Sequence, residues 1–172
     1  MANTYKPIAS VSASSGTVVS FTSIPQTYTH LVVYGAMGSS YGANVGTINF
    51  TVNGLTSLAY GRNYLTYDNS AISASSADGD AAANMGGMQA GSSSGANHTG
   101  FFVLYIYNYA TSLTTKTMTW QGGVSTASGA GNTAFGSNYS GFGAAITSIQ
   151  FNAITGTISA GTQFTLYGIT AA

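Results

Sequence analysis

The scarcity of charged side chains constrains the fold of this chain more than any other feature of its sequence. The 172 residues include three Lys or Arg and three Asp or Glu, and none of the acidic residues is Glu. A surface helix needs a polar face opposite an apolar stripe that repeats about every 3.6 residues. No window of this sequence has that pattern, so helices are not expected.

Short alternating segments rich in β-branched and aromatic residues indicate β-strands instead. In the segment 47–52, Ile48, Phe50 and Val52 share one face, and the pair Asn53-Gly54 that follows predicts a hairpin turn. Eight strands are predicted in all, over residues 18–24, 30–37, 47–52, 60–67, 99–109, 114–121, 145–154 and 161–169. Separated by turn residues, they predict an all-β fold, an antiparallel β-sandwich or barrel.

The length predicts one domain over residues 1–172, with residues 1–6 as an N-terminal arm. Residues 70–100 and 125–140 are rich in Ser, Gly and Ala, and we interpret both as long loops. Long loops of sandwiches carry many binding and assembly contacts. The first residues do not form a signal peptide, and no apolar run approaches the roughly 20 residues of a membrane-spanning helix.

The charge balance argues against several classes of partner. Nucleic acids and anionic membranes are bound through clustered Lys and Arg, and Lys6, Arg62 and Lys116 are too few and too dispersed in sequence. No cysteine is present, which excludes disulfides, thiolate metal sites and cysteine nucleophiles. Because zero net charge removes electrostatic repulsion between copies, it favours association.

Catalytic motifs are weak throughout the chain. The segment 78–84 brings two Asp carboxylates and an Asn amide together, but it does not match the calcium-loop pattern. The segment 91–95 matches G-x-S-x-G without the strand and helix that flank a nucleophilic serine, and only His30 and His98 could serve as its base. We therefore predict no catalytic residue, metal ligand or cofactor, and we expect the protein not to be an enzyme.

The strongest strand, 99–109, is apolar on both faces. One face carries Phe101, Val103, Tyr105, Tyr107 and Tyr109, and the other carries Phe102, Leu104 and Ile106. Either a second sheet covers the tyrosine face, or a partner subunit does, since tyrosine is enriched in interface cores. We expect the second sheet to cover Tyr105 and a subunit contact to cover Tyr109.

Four residues are predicted as a subunit interface: Tyr107, Tyr109, Trp120 and Arg62. Trp120 lies in the segment 114–121 on the same face as Met118. That pair fits a buried core position or a platform on which a sugar ring stacks, and the core position is the more common of the two.

Both ends of the chain resemble small structural proteins of tailed bacteriophages. At the N-terminus the similarity lies in Ile8-Ala-Ser-Val11 and in the segment 19–33, which reads VSFTSIPQTYTHLVV. At the C-terminus it lies in the segments 145–151 and 161–169, AITSIQF and GTQFTLYGI. The segment 105–110 and Lys116 resemble the central strand of that group and the loop after it.

The resemblance implies a jelly-roll-like β-sandwich on a phage particle, with no catalytic residues. The function expected from it is that of a capsid decoration or cement protein. Such a protein would lie on the outer surface of the capsid as a homotrimer and bridge neighbouring copies of the major capsid protein. The alternative is a tail or fibre-tip component that binds a host-surface glycan.

Overall fold

A computed structural model describes residues 5–16, 18–57, 59–68, 70–94, 98–112, 115–127 and 131–170. Twelve β-strands run through these residues: β1 (Tyr5–Ser12), β2 (Val18–Phe21), β3 (His30–Met37), β4 (Val45–Val52), β5 (Tyr60–Tyr67), β6 (Ile72–Asp80), β7 (Ala83–Ala90), β8 (Gly100–Ile106), β9 (Lys116–Ser125), β10 (Gly131–Ser140), β11 (Ile149–Ala153) and β12 (Gln163–Ile169). Within the described ranges, the single helical element is the 3₁₀ turn Ser92–Ser94. The predicted all-β fold is confirmed.

The strands form two sheets. The larger sheet has the order β1-β12-β3-β8-β9-β10-β5-β6, and the smaller has the order β2-β11-β4-β7. Neighbouring strands are antiparallel in both sheets. The arrangement is the predicted antiparallel sandwich.

The core lies between the inner faces of the two sheets. Phe151 of the smaller sheet lies against two aromatic rings of the larger one, with centroid distances of 5.5 Å to Phe102 and 5.0 Å to Phe164. Phe102 and Phe164 also contact each other at 5.6 Å. Because successive residues of a strand face opposite sides of the sheet, every second residue along these strands points into this core.

The two sheets come close together where β7 lies against β8 and β9. A Cβ atom on Gly100 of β8 would lie 1.8 Å from the Met88 carbonyl oxygen of β7, and one on Gly122 of β9 would lie 2.4 Å from Met88 Sδ. Only glycine leaves room for this approach, and such glycines within strands commonly mark a close backbone contact.

The structure corrects three sequence-based boundaries. The predicted loop 70–100 contains β6 and β7, and the predicted loop 125–140 contains β10, so that with β1 the described residues form twelve strands rather than about eight. The predicted arm 1–6 overlaps β1, which begins at Tyr5 and pairs with β12, while residues 1–4 lie outside the described residues. Strand formation here depends on neighbouring strands rather than on intrinsic propensity: β10, for example, pairs with β9 on one side and with β5 on the other.

Candidate interaction surface

The outer face of the larger sheet exposes many large apolar side chains. Those more than about one-third exposed on this face are Tyr5, Tyr34, Leu65, Tyr67, Ile72, Phe101, Tyr107, Phe135 and Tyr139. The smaller sheet packs on the opposite face, and no other part of the described chain forms a layer over this one. A surface of this kind marks an interaction site.

A groove of about 670 Å³ lies near the centre of this face. Its walls are aromatic, with Tyr105 on β8 and Tyr107 just beyond that strand on one side, and Phe135 on β10 on the other. The strand between them, β9, contributes Thr119 and Gln121 to the floor. We refer to this feature as the aromatic groove.

The tyrosine wall is held in place by its neighbours. The rings of Tyr105 and Tyr107 stack with a centroid distance of 6.4 Å and an interplanar angle of 14°. His30 packs edge-on against Tyr107 at 5.6 Å. The Tyr107 hydroxyl lies 3.0 Å from Thr119 Oγ1, within hydrogen-bonding distance, so the wall is tied to the floor.

The Tyr105 hydroxyl of this wall remains uncharged well above neutral pH. Burial raises the pKa of the Tyr105 hydroxyl, and the neighbouring hydroxyls of Tyr5 and Tyr34 raise it further. A neutral phenol both donates and accepts hydrogen bonds. The wall therefore offers polar contacts as well as ring faces.

A second feature lies at one end of the same face. Cross-strand pairing places Phe101, Tyr67 and Ile72 in one row with Gly123, and the Phe101 ring lies over Gly123, 3.7 Å from where a Cβ atom would be. Ile72 is 74% exposed and Phe101 is 58% exposed. We refer to Tyr67, Ile72 and Phe101 as the apolar rim.

Two of the three cationic side chains are already engaged within the protein. Arg62 forms an ion pair with Asp80, and its Nε lies 3.4 Å from Ser75 Oγ. Lys116 is buried, and its ammonium group donates to the carbonyl and hydroxyl oxygens of Thr111. Burial lowers the pKa of Lys116 because desolvation disfavours the charged form.

The four residues predicted as an interface do not form one surface. Tyr107 is 37% exposed and lines the aromatic groove, whereas Arg62 is paired with Asp80. Tyr109 and Trp120 are 0% and 3% exposed, so the expectation that they contact a neighbouring subunit is corrected. Their side chains belong to the core of the protomer.

Hydrogen bonds explain the position of both buried aromatics. The strand β8 ends at Ile106, and a left-handed Asn108 (φ 49°) turns the chain so that Tyr109 points inward and its hydroxyl donates to the Pro25 carbonyl. The Trp120 indole Nε1 donates to Asn138 Oδ1 at 2.7 Å. The expectation that the second sheet covers Tyr105 is also wrong, since Tyr105 lies on the outer face.

Sequence reasoning missed Phe135, which forms the opposite wall of the groove. It falls in the segment that we interpreted as a loop, because the inward positions of β10 include Ala134, Asn138 and Ser140, which do not resemble a buried strand face. The outward positions Thr133, Phe135, Ser137 and Tyr139 alternate with them and are the signal that could have identified the strand.

The G-x-S-x-G match directly follows β7, and no α-helix comes after it within the described residues. The serines of the G-x-S-x-G match form the 3₁₀ turn Ser92–Ser94, and Ser93 Oγ donates to the Gly42 carbonyl at 2.6 Å; Gly95 lies outside the described residues. The described chain contains no group of three or more His, Cys, Asp or Glu that could hold a metal ion. Among the same residues, no helix has the length and apolarity required to cross a membrane.

Fold and surface together define an all-β antiparallel sandwich whose larger sheet carries an aromatic groove and an apolar rim on its outer face. Comparisons with models of protein families, with curated proteins and with solved structures find no significant match.

Proposed function

We propose that this protein is a non-enzymatic structural protein of a bacteriophage virion, a decoration or cement protein on the outer surface of the capsid. The resemblance of its two terminal regions to small phage structural proteins supports the proposal. In this role a homotrimer bridges neighbouring subunits of the major capsid protein. The added buried area stabilises the shell against internal pressure.

The strand order supports a jelly-roll interpretation. Eight strands, β1, β2, β3, β4, β7, β8, β11 and β12, give two four-stranded sets, β1-β12-β3-β8 and β2-β11-β4-β7. Along the chain these strands switch between the two sets at every step except β4 to β7, as expected for two interlocked Greek keys. The pairs β5–β6 and β9–β10 then extend the larger sheet as two insertions. Jelly rolls are common in viral capsid proteins and in lectins.

The observation that carries the proposal is the apolar rim on a nearly uncharged protein. Ile72, at 74% exposed, and Phe101, at 58%, would each bury a large apolar area if a capsid subunit covered the rim. A contact of this kind depends little on salt, because screening weakens interactions between exposed charges and leaves apolar burial intact. We expect the protein to stay on the particle at about 1 M salt.

Electron cryo-microscopy of purified particles tests the location, and binding of variants to stripped particles tests the surface. Ile72→Asp should reduce occupancy, since it places a carboxylate in the rim. Ile154→Asp is the matched control, because Ile154 is also exposed, at 46%, but follows β11 of the smaller sheet. Absence of the protein from purified particles, or equal occupancy of Ile72→Asp and the unmodified protein, would contradict the proposal.

The second candidate is a tail or fibre-tip component that binds a host-surface glycan. The aromatic groove favours it, since ring faces and neutral polar groups lie together in one concavity. The same images separate the two candidates, because density at the tail rather than on the capsid supports this one. Light scattering on the isolated protein tests the proposed trimer, and a mass of about one 17.4 kDa chain would contradict it.

A further inference from the structure

We propose that the aromatic groove is a binding site for a neutral oligosaccharide. The inference gives the ligand class of the second candidate function and rests on it for its biological role. The binding itself is a property of the isolated protein, so its failure would leave the proposed role on the capsid standing. Three features of the groove carry the inference.

The first feature is the pair of aromatic walls on the two sides of β9. Tyr105 projects from β8 and Tyr107 follows the end of that strand, while Phe135 projects from β10, two residues out of register with Tyr105. Neighbouring strands lie about 4.8 Å apart, so the walls rise from backbones about 9–10 Å apart. Because the C–H groups of a sugar ring form apolar patches above and below it, a sugar in this gap can pack against an aromatic side chain.

The second feature is the set of polar side chains on the floor of the groove and beside its walls. Thr119, Gln121, Ser137 and Asn63 place hydroxyl and amide groups between and beside the walls. The side chains of Gln121, Ser137 and Asn63 make no hydrogen bond within the described part of the chain. Hydroxyls and amides both donate and accept, and sugar hydroxyls require both functions from their partners.

The third feature is the absence of charge. None of the described residues that line the groove is Asp, Glu, Lys or Arg, and the nearby Arg62 is paired with Asp80. A phosphate, a sulfated sugar or a sialic acid would therefore find no counter-charge in the groove. This selects a neutral sugar.

A second copy of the chain is a less suitable occupant than a sugar. The core of a homodimer interface is packed as densely as a protein interior, whereas the floor of this groove carries the polar side chains of Thr119, Gln121 and Ser137, and a second copy would have to satisfy each of them when it buried them. The apolar rim has the composition that a protein partner requires. The two surfaces can be tested separately, because they share no residue.

The experiment measures binding of the isolated protein to an array of neutral and acidic glycans, followed by calorimetry with the neutral glycans that bind. Phe135→Ala removes one wall and should weaken binding about ten-fold or more, as the loss of an aromatic anchor does. Phe101→Ala is the matched control, because Phe101 is 58% exposed and Phe135 is 55% exposed on the same face, but Phe101 lies in the rim. It should leave the affinity unchanged.

Three results would overturn the inference. They are the absence of binding to any neutral glycan at millimolar concentration, an equal loss of affinity in both variants, and a change in oligomer size in Phe135→Ala without glycan binding. The last result would assign the groove to a contact between copies of this chain. The melting temperature of each variant is measured in parallel, so that a loss of binding is not confused with a loss of fold.

Discussion

The two faces of β8 have similar apolar character in the sequence, but in the structure one face is buried and the other is partly exposed to solvent. On the inner face, Phe102, Leu104 and Ile106 are all buried. On the outer face, Phe101 is exposed, and Tyr107, just beyond the strand, is partly exposed above the aromatic groove. Alternation identifies the two faces, but it does not say which of them another layer covers.

The difference follows from the side of the larger sheet on which the smaller sheet lies. Four strands form the smaller sheet and eight form the larger, and β7 of the smaller sheet crosses the inner side of β9, next to β8. An apolar face without such a cover either binds a partner or remains exposed to water. The comparison therefore predicts large effects on folding for the inner face and effects mainly on binding for the outer one.

The largest effect should come from Leu104→Ala on the inner face. Removing a fully buried leucine side chain leaves a cavity in the core, and the free energy of unfolding should fall by about 2–5 kcal/mol. Val103→Ala, on the outer face of the same strand, serves as control and should cost less because Val103 is only partly buried. Urea denaturation measures both values, and equal costs would show that the two faces are equally covered.

An effect of intermediate size on stability should appear at alkaline pH, where the hydroxyl groups of tyrosines ionise. Burial raises the pKa of Tyr109 above its ordinary value of 10.0. A pKa that is raised in the folded state stabilises the protein fully below the unfolded value and loses that contribution as pH rises toward the folded value. Stability should therefore decline above about pH 10.

Urea denaturation from pH 8 to 11, in steps around the unfolded tyrosine pKa of about 10, measures this decline. Tyr109→Phe should make it shallower, and part of the decline should remain because burial also raises the pKa of Tyr60. At neutral pH, Tyr109→Phe should also cost about 1–3 kcal/mol, because the Pro25 carbonyl loses its donor. A decline that is just as steep in Tyr109→Phe would show that the ionisation of Tyr109 does not drive it.

The smallest effect on stability should come from Phe101→Ser in the apolar rim. The side chain is largely in solvent, so the free energy of unfolding should change by no more than about 0.5 kcal/mol. If the rim contacts another protein, the same variant should weaken that contact, which light scattering or particle binding would detect. A loss of several kcal/mol in the isolated protomer would mean that the rim is part of the core.

Part of the fold could be predicted because the strand pattern is local. All eight predicted strands correspond to observed strands, and Ile48, Phe50 and Val52 share a buried face as their alternation indicates. Their β-branched and aromatic side chains have high strand propensity. The strands that were missed, such as β6, consist largely of Ser, Ala and Gly and form by pairing with neighbours that are distant in sequence.

The turn at Asn53-Gly54 shows the limit of local information. Both residues adopt positive φ, 51° and 69°, as the sequence predicts. The strands on either side do not pair with each other, because β4 belongs to the smaller sheet and β5 to the larger. The Asn53 amide forms hydrogen bonds with Ala145 and Thr147, more than ninety residues further along the chain. Tertiary contacts therefore decided which sheet the chain joins after the turn.

For the candidate site, too, the sequence indicated some features and the tertiary structure decided others. The sequence indicated that Tyr107 was available for contact and gave the core as the more common position for Trp120, but it could not place Phe135 across β9 from Tyr105 or place Tyr109 in the core. By itself, the sequence determined the β class of the fold and the alternation of its strands, because both depend on side chains a few residues apart. Only the tertiary structure decided which face is covered, since coverage depends on contacts between strands such as β7 and β9 that packing of the whole chain brings together.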